Sequence, residues 1–196
     1  SPGEVLGCTA PVFALNKEDA KPVVDCVVMF GDGRFHVEAL AIANPSMSTY
    51  RCDPYSGTVT REDLNANALR ETRIKVMKAA RQSSKLVGLA VSTLGRQASK
   101  ATLQHIEALL DAKGIEHIAV LMSDVSLENM SKFPQTDCWV QLACPRLSLD
   151  WGSSFPFPLL TSHEAMIAWS DSDLDNLPHH ILCPMDNWAF GESHYR

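Results

Sequence analysis

The chain has 196 residues, 45% apolar and 20% charged, the balance of an ordinary globular protein with room for one generous domain or two small ones. A net charge of −6 with no basic block argues against direct nucleic-acid binding, and no apolar run is long enough to cross a bilayer. The opening SPGEVLGCTAP lacks the basic and apolar regions of a secretory signal. Of the six cysteines, Cys26 and Cys138 fall inside apolar runs and read as buried small residues, so a reducing, cytoplasmic setting with free thiols or metal ligands is expected.

In chain order, PVVDCVVMF (22–30) is a β-branched run ending in Gly31-Asp32-Gly33 and predicts a buried strand. FHVEALAIA (35–43) has helical spacing and stops at Asn44-Pro45; MSTYRC (47–52) predicts a second strand closed by the turn former DPYSG. Thr60 and Asp63 resemble a capping box, and the Pro- and Gly-free stretch from Arg61 to about Ser83 predicts one long helix. The rhythm then repeats: strand 86–93, amphipathic helix 99–112 stopped by Gly114, strand 115–123, short helix 126–132 and strand 137–144. The last fifty residues are Pro-rich with little periodicity, although His163 is placed to open a helix. Strands alternating with helices predict parallel βα units, divided near residues 81–85 into two α/β lobes, 1–82 and 83–196.

Ligands of such sheets collect at the carboxyl ends of the strands. Those ends carry Gly31-Asp32-Gly33-Arg34, Cys52-Asp53, Thr93-Leu94-Gly95-Arg96-Gln97, Ser123-Asp124 and Cys144-Pro145-Arg146. There is no C-x-x-C pair, so a metal centre has to be assembled from separated strand ends. Cys8, Cys144 and Cys183 each stand close before a proline, whose stiff backbone suits an iron ligand. The GDG turn offers free backbone N–H groups to an anion, with Asp32 available for an ammonium or a ribose hydroxyl. Arg96 and Gln97 suit a carboxylate, whereas Arg146 and Asp150 read as a salt-bridged loop and nothing more. The histidines do not cluster, and neither H-E-x-x-H nor G-x-S-x-G occurs, so hydrolase chemistry has little support. The residues alone do not select a reaction; a nucleotide-dependent α/β enzyme would rest on GDG and TLGRQ only.

Taken as an ordered set, GEVLGCTAP, GDGRFHVEALAIANP, YRCDPYSGTVTRE, VSTLGRQ, DCWVQLACPRLSLDWG, PLLTSHEA and CPMDNWAFG resemble the diphthamide-synthase family, its larger eukaryotic subunit best. The resemblance implies three similar α/β domains around a central 4Fe-4S cluster, one cysteine from each. It implies S-adenosylmethionine on the open iron, and transfer of its 3-amino-3-carboxypropyl group, as a radical, to a histidine of elongation factor 2. It also implies a heterodimer with a related second subunit and a small electron-donor protein. Carried onto this sequence, Cys8 is the second-domain ligand and Cys144 the third-domain ligand. Cys183 and Cys52 stand where relatives have other residues. Gly31, Asp32, Gly33, Arg34, Gln97, Gln141 and Arg146 are the candidates for holding the cosubstrate.

By the same resemblance, residues 1–82 are expected to be a second domain truncated at its start, residues 83–196 the third, and the first domain with its cysteine absent. With two of three ligands the chain alone is expected to be inactive and prone to self-association through exposed apolar surface. The sulfurs of Cys8 and Cys144 are expected within about 6–7 Å of each other if they share one cubane. The alternative is a non-catalytic scaffold that grips the partner subunit and elongation factor 2.

Overall fold

The computed structural model describes residue 5 and residues 10–13, 24–93 and 99–177. Its elements are β1 (Cys26–Phe30), α1 (Phe35–Ala43), β2 (Ser48–Cys52), β3 (Val59–Arg61), α2 (Ala66–Ser83), β4 (Leu86–Ser92), α3 (Lys100–Ala112), β5 (Glu116–Met122), α4 (Leu127–Met130), β6 (Cys138–Leu142), α5 (Arg146–Trp151), β7 (Leu159–Thr161) and α6 (Ser162–Trp169). They form an α/β molecule with two sheets. The first has the order β1-β2-β3, with β1 and β2 parallel and β3 antiparallel; the second has the order β5-β4-β6-β7 and is parallel throughout.

The four-stranded sheet is covered on both faces, as a parallel sheet must be. Val87, Leu89, Cys138, Val140 and Leu142 pack against α2, α3 and α6 through Ile74, Met77, Ile106, Leu110 and Ala165. The opposite face packs Ala90, Trp139 and Leu159 against Met122, Val125 and Met130. Gly88 gives the Trp139 indole its seat, since a Cβ there would lie 2.6 Å from the ring carbons Cδ2 and Cζ3. In the first sheet, Val27 and Met29 join the Ala39–Leu40–Ala43 cluster of α1. The alternate residues Cys26, Val28 and Phe30 face outward, with Phe30 75% exposed. Cys26, expected inside, is therefore exposed: β1 has α1 on one side and open surface on the other among the described residues.

Helix α2 does not start at a Thr60 box. Thr60 lies in β3, and the cap is Asn65, whose side chain accepts from the Ala68 N–H. The helix ends at Ser83, where the chain was expected to divide, yet its buried Arg73, Ile74, Met77 and Ala80 face the second sheet. Arg73 is 2% exposed and fully paired. It meets both Glu164 carboxylate oxygens at 2.7 Å and donates to the carbonyls of Ser148 and Leu159 at 2.9 and 2.7 Å. A Cβ on Gly152 would come within 2.8 Å of the Arg73 guanidinium. Strand β7 and helix α6 lie in the stretch of little periodicity, where a helix was expected to open at His163. The signal there is local: Thr161 and Glu164 form a reciprocal capping box. No helix among the described residues is long and apolar enough to cross a membrane.

Gly88→Ala forces the Trp139 ring from its seat and is expected to lower the unfolding free energy by about 1–3 kcal/mol, read by denaturant titration with far-ultraviolet circular dichroism. An unchanged midpoint would mean the indole can move aside freely.

Candidate functional site

Arg146 joins the carboxyl end of β6 in the second sheet to the start of α1 in the first lobe. It lies in the turn after β6, yet its Nη1 donates to the Phe35 carbonyl at 2.8 Å and its Nη2 to Glu38 at 2.7 Å, both on α1 of the first lobe. Its Cζ stands 4.5 Å over the Phe35 ring, and its Nε closes an ion pair with Asp150 at 2.8 Å. Burial alone would lower the Arg146 pKa; Asp150 and Glu38 outweigh it and hold the group above its usual value. Leu149 of α5 adds an apolar contact by packing on the α1 core. The start of α1, into which the Gly31–Arg34 loop leads, is thereby joined to the turn that carries Cys144 and Pro145.

The Cys144 turn is supported from below by buried polar groups. Gln141, 1% exposed, donates to the Cys144 carbonyl and to the Ser148 hydroxyl, each at 3.1 Å, and its amide oxygen accepts from the Ala143 N–H at 2.8 Å. Ser148 in turn gives its carbonyl to Arg73. A run of hydrogen bonds thus leads from Glu164 through Arg73, Ser148 and Gln141 to the cysteine, whose side chain is half-buried.

The expected site residues separate into three groups. Cys8 and Gln97, with Arg96 and Cys183, lie outside the described residues, so the Cys8–Cys144 separation is not assigned. Gly31, Asp32, Gly33 and Arg34 form an open loop after β1. Gly31 donates its N–H to the Cys52 carbonyl at 3.1 Å, Gly33 takes φ 71°, where glycine is favoured, and Asp32 is exposed. The Arg34 side chain is 65% exposed and pairs with Glu62 and, at 3.5 Å, with Glu38; the Glu62 hydrogen bond raises its pKa above the ordinary value. Gln141 and Arg146 are close to the cysteine, but their polar atoms are engaged with the protein, which gives them a holding role in the turn. Sequence reasoning passed over Glu38, Phe35, Arg73 and Ser148; only the Arg34–Glu38 spacing of one helical turn was visible in advance.

The cysteines differ sharply in chemistry. Cys138 is buried in β6, and burial pushes its thiol from 9.0 up to about 12, which makes it a poor thiolate donor. Cys144, beside a proline at a strand end, is a donor of the kind that iron takes. Among the described residues no group of three His, Cys, Asp or Glu side chains is gathered to hold a metal ion. The donor chemistry of Cys144 fits an iron–sulfur ligand, and a complete set needs residues beyond those described.

Comparison with known proteins bears on what such a site serves. A model of diphthamide synthesis proteins matches residues 1–177. The chain belongs to the diphthamide synthesis protein family. It is 47% identical over 171 residues to 2-(3-amino-3-carboxypropyl)histidine synthase subunit 1 of Bos taurus, covering 87% of this chain and 37% of that protein. To the protein of the same name from Caenorhabditis elegans it is 44% identical over 188 residues, 96% of this chain and 43% of the other. Among solved structures, Dph2 from Pyrococcus horikoshii is similar with a TM-score of 0.66 and 29% identity, over 87% of this chain and 46% of that one. A crystal structure of the same archaeal protein with a 4Fe-4S cluster aligns with a TM-score of 0.64 and 29% identity, over 85% of this chain and 45% of that one. The chain spans less than half the length of these family members.

Two outcomes are expected of the folded chain. Gln141→Leu, which leaves the Cys144 carbonyl and Ser148 without their donor, should cost about 1–3 kcal/mol of stability and speed alkylation of Cys144, followed by peptide mass spectrometry. Wild-type kinetics in the variant would mean the turn holds itself. Cys138 should resist iodoacetamide at pH 8.5 while exposed Cys26 reacts. Because the folded pKa of Cys138 lies above the unfolded one, its contribution to stability is intact below pH 9.0 and is lost as pH rises towards about 12. A Cys138→Ala variant should therefore lose less stability than wild type over that alkaline range.

Proposed function

We propose that the chain forms part of an enzyme that transfers a 3-amino-3-carboxypropyl group from S-adenosylmethionine to a histidine of elongation factor 2, the first step of diphthamide biosynthesis. In this reading residues 1–82 and 83–196 are the second and third domains of a three-domain subunit, with α2 packing forward onto the third. The partners are a related second subunit, an electron-donor protein and the elongation factor, in the cytoplasm. The observation that carries the reading is Cys144 at the carboxyl end of β6, held by Gln141 and Arg146 beside the Gly31–Arg34 loop. The family relationship supports it, since relatives are named for this synthase and an archaeal relative was crystallised with a 4Fe-4S cluster.

Cys8 and Cys144 are the side chains that would hold such a cluster. When bound, a 4Fe-4S cluster supplies one-electron cleavage of a sulfonium carbon–sulfur bond. The chain's own residues then have separable tasks. The Arg34 guanidinium, the most open cation of the loop, binds the cosubstrate carboxylate, displacing part of its contact with Glu38. The backbone N–H groups of the Gly31–Gly33 turn add donors, and Asp32 takes the ammonium or a ribose hydroxyl. Gln97 contributes a further polar contact. Gln141 and Arg146 keep the Cys144 turn in place. In this reading Cys8 and Cys144 are two of three ligands, and a stable cluster depends on a third.

A second reading has its own observation. The outward face of the first sheet presents Val28, Phe30 and Val59, which are 43%, 75% and 60% exposed. Such a face suits a partner-gripping module without catalysis.

Anaerobic reconstitution with iron and sulfide discriminates the two. The catalytic reading expects the isolated chain to retain less than one four-iron cluster, Cys144→Ala to abolish that retention and Cys138→Ala to leave it unchanged. A stoichiometric cluster on the chain alone would refute its dependence on other parts. Iron retention indifferent to Cys144→Ala would favour the scaffold.

A further inference from the structure

The two lobes have separate sheets, so no strand pairing sets one strand-end loop against the other. What sets them is carried by the first turns of two helices. On α1, Glu38 lies one turn beyond Arg34 and meets it at 3.5 Å, while it meets Arg146 of the other lobe at 2.7 Å. Arg146 also takes the Phe35 carbonyl and stacks on the Phe35 ring, so its contacts outside its own helix converge on the start of α1. The line of alternating charges Glu62–Arg34–Glu38–Arg146–Asp150 crosses from the residue after β3 to α5 with Glu38 at its centre. The Arg146–Glu38 side chains are 5% and 24% exposed, unlike a solvated pair such as Arg61–Asp63 at 60% and 82%. The interlobe pair is therefore partly desolvated, where a charge-assisted hydrogen bond counts for more than on an open surface.

We propose that Glu38 is a positioning residue: by holding Arg146 it fixes the Cys144–Pro145 turn against the Gly31–Arg34 loop, and so makes two strand ends into one site. The meaning of that site rests on the proposed function; the mechanical coupling does not. If the lobes were joined only by the apolar seating of Leu149 on α1, each loop would answer to changes in its own lobe alone.

Hydrogen exchange read by mass spectrometry on the full 196-residue chain tests this. Glu38→Gln, a change within the first lobe, is expected to raise exchange by about threefold to tenfold at residues 32–37 and also at residues 144–151 across the junction. Arg146→Gln should do the same, the double variant should add little to either, and Arg146→Lys should restore part of the protection in both segments. The control Arg61→Gln should leave both unchanged. Should Arg146→Gln fail to fold, Glu38→Gln and Arg146→Lys carry the comparison. A response confined to the mutated lobe, or additive effects in the double variant, would overturn the role of Glu38. Iron retention provides the separate readout: loss of coupling with the Cys144 dependence intact removes Glu38 alone, whereas coupling without that dependence removes the functional reading and keeps Glu38.

Discussion

One guanidinium ties the two lobes together at the candidate site. Arg146 leaves the carboxyl end of β6, meets Asp150 on its own helix, and spends its remaining donors on Phe35 and Glu38 of the other lobe. Planar, permanently charged and able to stack, arginine can satisfy a carboxylate, a backbone carbonyl and an aromatic face at once; lysine cannot. The two sheets each organise their own hydrophobic core, and Leu149 of the second lobe is seated on the α1 cluster of the first. The directional part of the relation between the strand-end loops is polar and is made by a few side chains.

Beneath the junction lies a second polar device, which joins Arg73 of α2 to the second sheet and its helices. Arg73 and Glu164 are both almost completely buried, and each is saturated by further hydrogen bonds. A buried ion pair of this kind gives little net stability compared with an apolar substitute, yet losing one partner leaves an uncompensated charge and costs several kcal/mol. Its value is positional. It ties α2, α5, β7 and α6 to one point, and through Ser148 and Gln141 it reaches the cysteine turn.

Much of the fold was legible because it follows from periodicity. The runs that became β4, β5 and β6 and the amphipathic α3 stand out as alternating apolar strand and helix patterns. Strand β3 was hidden because Val-Thr-Arg is three residues long and its side chains are exposed, so no burial pattern marks it. Strand β7 was obscured by prolines nearby, whereas the helix expected to open at His163 is α6, with the Thr161–Glu164 box at its start. Cys26 misled because β-branched neighbours signal a strand but not which faces of it are covered. For the candidate site, motif and strand-end position singled out Cys144, the Gly31–Arg34 loop, Gln141 and Arg146 alike. They could not tell an exposed side chain from one tied into the turn, because Arg146 and Arg34 are the same residue type and differ in the neighbours that folding brings to them.

The contact between Arg73 and Gly152 has an evolutionary consequence. With the guanidinium 2.8 Å from where a Cβ at 152 would stand, and with Glu164 as its counter-charge, the three positions share one packing constraint. A side chain at 152 requires the Arg73 guanidinium to shift, and loss of Glu164 leaves that guanidinium buried without its counter-charge. Replacing the trio together with apolar residues of matching volume avoids both costs. Coordinated change at three sites scattered along the chain would then record a packing constraint, with no bearing on which reaction the descendants perform.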